Sequence, residues 1–148
     1  RGRAPQPFMI GRPFLLAIAD TGISSPTRVA VGDVRARTEA EPRRYQDLFD
    51  RIGGIAAEAK VAIRYGKPDE LGPLMDRNHA LLQEIGVSCP ELDSLVAAAR
   101  AAGAGGAKLS GAGRGGNMIA LVAPKTADAV AAALRAAGAV RVIVTEIA

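Results

Sequence analysis

The chain has 148 residues, is 49% hydrophobic, carries a net charge of +4, and contains one cysteine and one histidine. This length suits a single domain, and the half-apolar composition excludes a disordered tail. One cysteine and one histidine exclude an internal disulfide and a zinc site of those ligands, and no apolar run reaches the ~18 residues of a membrane helix. The basic residues are not interleaved with aromatic ones, which argues against nucleic-acid binding. We therefore expect a soluble protein, with the cytoplasm as its default location in the absence of a signal-peptide pattern.

The first third of the chain predicts one strand followed by helices. Residues 14–19 form a short continuous apolar run, which is typical of a buried strand. Ser25 and Pro26 then have the residue types of a helix cap and a first helical position, and Pro42 opens a second helix. The pair Gly53-Gly54 interrupts that second helix, and we expect it to let a neighbouring element approach closely.

Two further helices are predicted in the middle of the chain. The third begins at residues 67–70 and ends at Gly86. Asn78 is the one polar residue on its apolar stripe, and His79 lies beside the stripe. A buried asparagine costs ~1–3 kcal/mol unless it is hydrogen-bonded, so Asn78 either ties its helix to a loop or faces a ligand. Residues 88–91 have capping-box spacing and predict the start of a fourth helix.

The last third of the chain predicts three strands and a helix. Residues 107–110 and 117–123 are strands joined by a glycine-rich loop, Thr126 caps a fifth helix, and residues 140–145 form a final strand. With the extra helices set aside, the order is β-α-β-β-α-β. We therefore predict an α+β fold of the ferredoxin-like split βαβ type, a four-stranded antiparallel sheet with extra helices inserted between the first two strands.

The loop from Ser110 to Gly116 is the first candidate for function. Its four glycines let backbone N–H groups point inward without obstruction by a Cβ, which suits close approach to a phosphate. The spacing matches G-x-G-x-x-G, but the loop leads into a strand rather than a helix, so a dinucleotide fold is not indicated. A tight β-hairpin needs the same glycines, and the loop alone leaves both interpretations open.

The segment from Asp20 to Arg28 is the second candidate. A buried strand ends there and a helix begins, so free N–H groups and the helix dipole can hold an anion. An ordinary capped turn is the commoner outcome for such a segment. No acid pair, histidine–acid pair or metal-ligand spacing stands out anywhere in the chain, so a self-sufficient active site is not visible.

Three segments of the chain, in the same order along the sequence as in the family, resemble the GHMP kinases, which act on galactose, homoserine, mevalonate and phosphomevalonate. Residues 106–117 resemble the third conserved motif of that family, residues 76–93 the segment before it, and residues 20–28 its strand-to-helix segment. The likeness is greatest to the mevalonate kinase branch. Three positions depart from the pattern: the family usually has glycine where this chain has Arg114 and cysteine where it has Asn117, and many members of the branch have a basic residue where it has Ser25.

The resemblance implies that residues 1–148 are a GHMP kinase C-terminal domain, without the N-terminal lobe that carries the family's phosphate loop and its catalytic aspartate and lysine. ATP and Mg²⁺ would be held mainly by that lobe, which would be the chain's partner. The implied reaction transfers the ATP γ-phosphoryl group to the C5 hydroxyl of mevalonate, and the isolated segment is expected to be inactive. A homodimer is a further expectation from the resemblance.

The resemblance also implies site residues, none of them catalytic and none a metal ligand. The residues expected to contact the ATP phosphate loop are Ser110, Gly111, Ala112, Gly113, Arg114, Gly115 and Gly116. The residues expected at the substrate pocket are Thr27, Arg28 and Asn78. Two alternatives stay open. One is another family member, such as phosphomevalonate kinase or diphosphomevalonate decarboxylase, and the other is a non-catalytic ferredoxin-like module that binds a ligand and regulates a partner.

Overall fold

A computed structural model describes residues 8–24 and 26–148. Its elements are β1 (Phe14–Asp20), α1 (Thr27–Ala40), α2 (Pro42–Arg64), a 3₁₀ turn (Pro68–Glu70), α3 (Leu71–Ile85), α4 (Pro90–Ala101), β2 (Gly106–Ser110), β3 (Asn117–Val122), α5 (Ala127–Ala136) and β4 (Arg141–Ile147). Among these helices, none has both the length and the apolar character needed to span a membrane.

The four strands form one antiparallel sheet in the order β2-β3-β1-β4. Strands β2 and β3 are joined directly by the glycine-rich loop, whereas the connection from β1 to β2 contains α1 to α4. This arrangement confirms the predicted fold class. The register places Asp20, Asn117 and Ser110 side by side, so β1, the start of β3 and the end of β2 meet at one end of the sheet.

The main core lies between one face of the sheet and the helices α4 and α5, and it extends to buried residues of α2 and α3. Alternate strand residues point into it and are buried, among them Ala17, Ala19, Leu109, Met118 and Ala120. They pack against the apolar stripes of α4 and α5. Small alanines on the strands, such as Ala17, Ala19 and Ala120, let the helices lie close to the sheet.

A backbone contact between glycines joins α3 to β2. A Cβ at Gly72 would meet the carbonyl oxygen of Gly105, and a Cβ at Gly106 would meet the carbonyl oxygen of Gly72. The expected close approach at Gly53-Gly54 is wrong: α2 continues through both residues, and a Cβ at either position meets no atom of the described chain within 4 Å. A glycine pair in sequence marks freedom of the backbone, but only the fold decides where two backbones touch.

Side chains of α3 and α4 cover the outer edge of β2. The carboxylate of Asp76 accepts a hydrogen bond from the backbone N–H of Ala107 at 2.9 Å, and His79 Nδ1 accepts one from the N–H of Leu109 at 3.3 Å. Arg100 donates to the carbonyl oxygen of Ala107 at 2.9 Å. An exposed strand edge would otherwise offer these groups to another chain. The edge is therefore closed by three ionisable side chains.

His79, which the sequence places beside the apolar stripe, is buried and only 2% exposed. Because Nδ1 accepts a hydrogen bond, the neutral ring carries its proton on Nε2. Asp93 Oδ1 lies 3.0 Å from Nε2 but out of line for a hydrogen bond. Burial lowers the pKa of His79 below its ordinary value of 6.5, and the nearby Asp93 opposes that shift only in part.

Two predicted helix starts need correction in detail. The cap of α4 is Cys89, not Ser88, and the Ser88 hydroxyl instead donates a hydrogen bond to Asp93. Thr126 does precede α5, but its hydroxyl bonds the backbone of Ala123 rather than the first turn of the helix. In both places the hydroxyl bonds a different local group in place of an N–H group of the first helical turn. The predicted Ser25 cap lies outside the described residues.

We expect Gly72→Ala to lower the free energy of unfolding by about 2–3 kcal/mol, because the added Cβ overlaps the backbone at Gly105. Gly32→Ala on α1 is the matched control, since its Cβ meets no atom of the described residues within 4 Å and alanine favours a helix by about 1 kcal/mol. Urea unfolding of both variants measures the difference. Equal stability of the two variants would contradict the Gly72 contact.

We also expect the free energy of unfolding to fall as the pH drops below about 6.5. The folded chain keeps His79 neutral to a lower pH than the unfolded chain does, so the stabilisation is complete above 6.5 and is lost on acidification. His79→Gln keeps an acceptor for the Leu109 N–H and should remove this part of the pH dependence. Urea unfolding at pH 7.5, 6.5 and 5.5 checks it, and identical slopes for the two chains would show that His79 is not responsible.

Candidate functional site

The glycine loop, defined as residues 110–116, lies against the segment that joins β1 to α1. The N–H and the hydroxyl of Thr21 both donate to the carbonyl oxygen of Gly116, at 2.9 Å and 3.0 Å. The N–H of Gly116 in turn donates to the carbonyl oxygen of Ile23 at 2.9 Å. The structure therefore brings together two of the three segments that the sequence singled out.

Four glycines of the loop have positive φ, and they divide into two kinds. A Cβ at Gly113 would overlap the carbonyl oxygen of Val87, and one at Gly115 would come within 2.5 Å of the carbonyl oxygen of Ile23. These two glycines pack the loop against its neighbours. At Gly111 and Gly116 a Cβ meets no atom of the described residues within 4 Å, so the backbone there faces open space. A ligand can approach that backbone closely.

Arg114 is the one described residue other than glycine with a positive φ, at 58°. Its guanidinium pairs with the carboxylate of Asp33 on α1, and its Nε donates to the carbonyl oxygen of Gly86 at 3.4 Å. Its backbone N–H donates to the carbonyl oxygen of Val87 at 2.7 Å. The side chain is thus engaged by protein groups at the end of α3 and on α1.

The N-terminus of α1 is the third feature of the site. Thr27 and Arg28 form its first turn and are exposed. The capping residue is Pro26, which makes no side-chain cap, and the first turn holds no acidic residue. The positive end of the helix dipole is therefore not compensated by a carboxylate of that turn, and an anion is favoured there.

Asn78 lies apart from the glycine loop, in a hollow of about 200 Å³ between α2, α3 and β2. The hollow is lined mainly by apolar side chains, and its other polar group is Lys108 of β2. Burial lowers the pKa of Lys108, whose Nζ donates to the carbonyl oxygen of Leu109 at 2.6 Å. Sequence reasoning missed Lys108, although a lysine between the apolar residues of a strand was the available signal.

Lys108 connects this hollow to the loop. Lys108 and Ser110 are alternate residues of β2 and so lie on the same face of the sheet, about 7 Å apart along the strand. In the described part of the chain, no group of three or more histidine, cysteine, aspartate or glutamate side chains is placed to hold a metal ion.

Residues 59–140 match the model of the C-terminal region of GHMP kinases. The mevalonate kinase of Pyrococcus furiosus is 43% identical over 137 residues, which cover 89% of this chain and 40% of that protein. The mevalonate kinase of Thermococcus gammatolerans is 39% identical over 148 residues, covering 97% and 43%. The chain thus spans about two fifths of the length of these relatives.

Solved structures show the same fold. The mevalonate kinase of L. major, determined in complex with R-mevalonate, superimposes with a TM-score of 0.91 at 35% identity, covering 96% of this chain and 44% of that one. A phosphomevalonate kinase of Streptococcus pneumoniae superimposes with a TM-score of 0.81 at 17% identity, covering 93% and 41%. At that low identity the second likeness supports the fold alone.

Gly113→Ala should lower the free energy of unfolding by about 2–4 kcal/mol, since it combines a backbone overlap at Val87 with an unfavourable φ of 83°. Gly116→Asn is the matched control, because asparagine tolerates positive φ and the space at Gly116 is open among the described residues. We expect it to cost no more than about 1 kcal/mol. Urea unfolding distinguishes the two, and a control as destabilised as Gly113→Ala would refute the division into packing and open glycines.

Proposed function

The chain belongs to the GHMP kinase family, and on that basis we propose that it is the C-terminal domain of an ATP-dependent kinase that phosphorylates the C5 hydroxyl of mevalonate. The share of the relatives that it spans supports this assignment, and the catalytic groups would lie in the part of those proteins that the chain does not match. The relatives at 39–43% identity are mevalonate kinases, and the L. major enzyme was determined with R-mevalonate.

The observation that carries the proposal is the open backbone of the glycine loop. The N–H groups of Arg114 and Gly116 are used within the protein, donating to Val87 and Ile23. Those of Gly111, Ala112, Gly113 and Gly115 have no backbone partner within the described residues. Gly113 and Gly115 are buried, whereas Gly111 and Ala112 are not, and we propose that the donors of Gly111 and Ala112, with the hydroxyl of Ser110, face the phosphates of ATP or the phosphate loop that holds them. Clustered N–H groups of this kind form a concave anion site.

Phosphoryl transfer depends mainly on positioning and on stabilising the charge of the transferred group. In the proposed site the loop supplies neutral donors and the start of α1 supplies a positive dipole end with Thr27 and Arg28. Asn78, together with Lys108, would form a wall on the substrate side. We propose that the Mg²⁺ that accompanies ATP would be held mainly by the part of the relatives that the chain does not match.

Cytoplasmic location and assembly as a homodimer stay predictions. The phosphomevalonate kinase alternative is supported by a superposition with a TM-score of 0.81. At 17% identity this likeness supports the shared fold and not the choice of substrate. The non-catalytic module would share the same sheet, because a ferredoxin-like plan does not determine chemistry. The choice among these functions therefore depends on assay.

We expect the complete polypeptide encoded by the gene to convert mevalonate and ATP into phosphomevalonate and ADP, and residues 1–148 alone to show no turnover. Coupled ADP assays with mevalonate, phosphomevalonate and diphosphomevalonate separate the family alternatives. Turnover only with a phosphorylated substrate would replace the proposed acceptor. No turnover with any of them would favour the binding module, and turnover by the 148-residue chain would contradict the domain assignment.

Gly111→Ala tests the loop within the same assay. A Cβ there enters the open space in front of the backbone, so we expect the KM for ATP to rise about tenfold, equivalent to about 1.4 kcal/mol. Gly103→Ala is the matched control: its φ of 96° is close to the 102° of Gly111, but it lies at the other end of β2. The control should leave the KM for ATP unchanged.

A further inference from the structure

Arg114 occupies a backbone conformation that glycine adopts at less cost. Its φ of 58° lies in the left-handed region, where a Cβ crowds the following carbonyl oxygen. Contacts of the side chain must therefore offset a local strain that glycine at the same position would not have. These contacts identify what the arginine does in the fold.

The guanidinium joins two elements that flank the glycine loop. It pairs with Asp33 of α1, and Nε donates to Gly86 at the end of α3. Arg114 keeps only 24% of its side chain exposed, against 50% for Asp33, so the pair is partly shielded from water. Partial burial and the second hydrogen bond make this pair stronger than an ordinary surface ion pair.

The helix α1 has few other attachments to the domain. Among the described residues, Ala30 is its one buried residue and Val34 is partly buried against the main core, while Val29 and Val31 are 50% and 60% exposed. A second polar tie is Arg37, which donates to the carbonyl oxygen of Ile85 at 3.2 Å. A helix with so little buried apolar surface depends on such ties for its position.

The two arginines converge on the carboxyl end of α3. Three successive carbonyl groups there, those of Ile85, Gly86 and Val87, accept hydrogen bonds from Arg37, from the Arg114 side chain and from the Arg114 backbone. Cationic groups are favoured at this end of a helix because its dipole is negative there. The end of α3 is therefore the anchor from which Arg114 reaches α1.

We propose that Arg114 is a positioning residue, which fastens the glycine loop to α1 through Asp33 and so sets the distance between the loop and the N-terminus of α1. Asp33 lies six residues beyond Thr27, about 9 Å along the helix, so the contact holds α1 at its middle and thereby fixes where its N-terminus lies. The consequence for the reaction rests on the proposed function. In that function the phosphates of ATP bind at the glycine loop, and the acceptor mevalonate binds near Thr27 and Arg28. Arg114 itself then does not contact phosphate.

Hydrogen exchange tests the contact independently of activity. In the complete polypeptide, peptides that cover residues 27–40 should exchange at least about fivefold faster in Arg114→Asn and in Asp33→Asn, because local opening of α1 becomes easier. Asparagine tolerates the left-handed backbone at position 114. The double variant Arg114→Asp with Asp33→Arg should restore slow exchange. Arg35→Gln, which removes the exposed pair with Glu39 inside α1, is the control and should have no such effect.

Steady-state kinetics tests the consequence for the reaction. Arg114→Asn and Asp33→Asn should each raise the KM for the acceptor about five- to tenfold and leave the KM for ATP within about twofold, with recovery in the charge-exchanged double variant. Unchanged exchange of α1 in both single variants, or a raised KM for ATP in Arg114→Asn but not in Asp33→Asn, would overturn the proposal. If the unaltered protein shows no kinase activity, the proposed function fails, while the exchange measurement still decides whether Arg114 holds α1.

Discussion

The contact between α3 and the outer edge of β2 is the constraint on which the position of the glycine loop depends. Gly72 and Gly106 bring the two backbones together where β2 begins. Asp76 and His79 then accept the N–H groups of two alternate strand residues. Asp76 and His79 lie three residues apart, about 4.5 Å along α3, and the two N–H groups lie about 7 Å apart along β2, so the two side chains span the difference.

The same helix holds the loop where β2 ends. Val87, just past α3, accepts the N–H of Arg114 and lies against Gly113, which has no room for a Cβ. On its other side the loop is bonded to Thr21 and packed against Ile23. The glycines that touch neighbours thus fix the loop, and this fixed frame is what keeps Gly111 and Gly116 open. A loop of free glycines would pay a larger entropy cost on binding an anion, whereas a fixed one is already organised.

Much of the fold could be predicted from local signals, because β1 and β3 are short apolar runs and most helices show clear periodicity. The β-α-β-β-α-β plan predicted the four-stranded antiparallel sheet. Contacts between elements could not be predicted in the same way. The pair Gly53-Gly54 was predicted to be a packing site and is not one. The residues around Gly72, by contrast, give no indication of the backbone contact that it makes with Gly105. The helical periodicity did not predict the burial of His79, because that burial depends on the edge of β2, which is 30 residues away in sequence.

The candidate site likewise contains features that local sequence predicts and a feature that depends on distant contacts. The glycine loop and the segment from Asp20 to Arg28 are local patterns, and the structure brings them into contact. The role of Arg114 is not local: from sequence, a cation inside a glycine-rich loop suggests a phosphate ligand. In the fold, its charge lies between a carboxylate of α1 and the negative end of the α3 dipole, at Asp33 and Gly86. A guanidinium that is already paired with both groups would bind a phosphate only weakly. The loop would therefore bind anions through its backbone N–H groups, and Arg114 would stabilise the position of the loop.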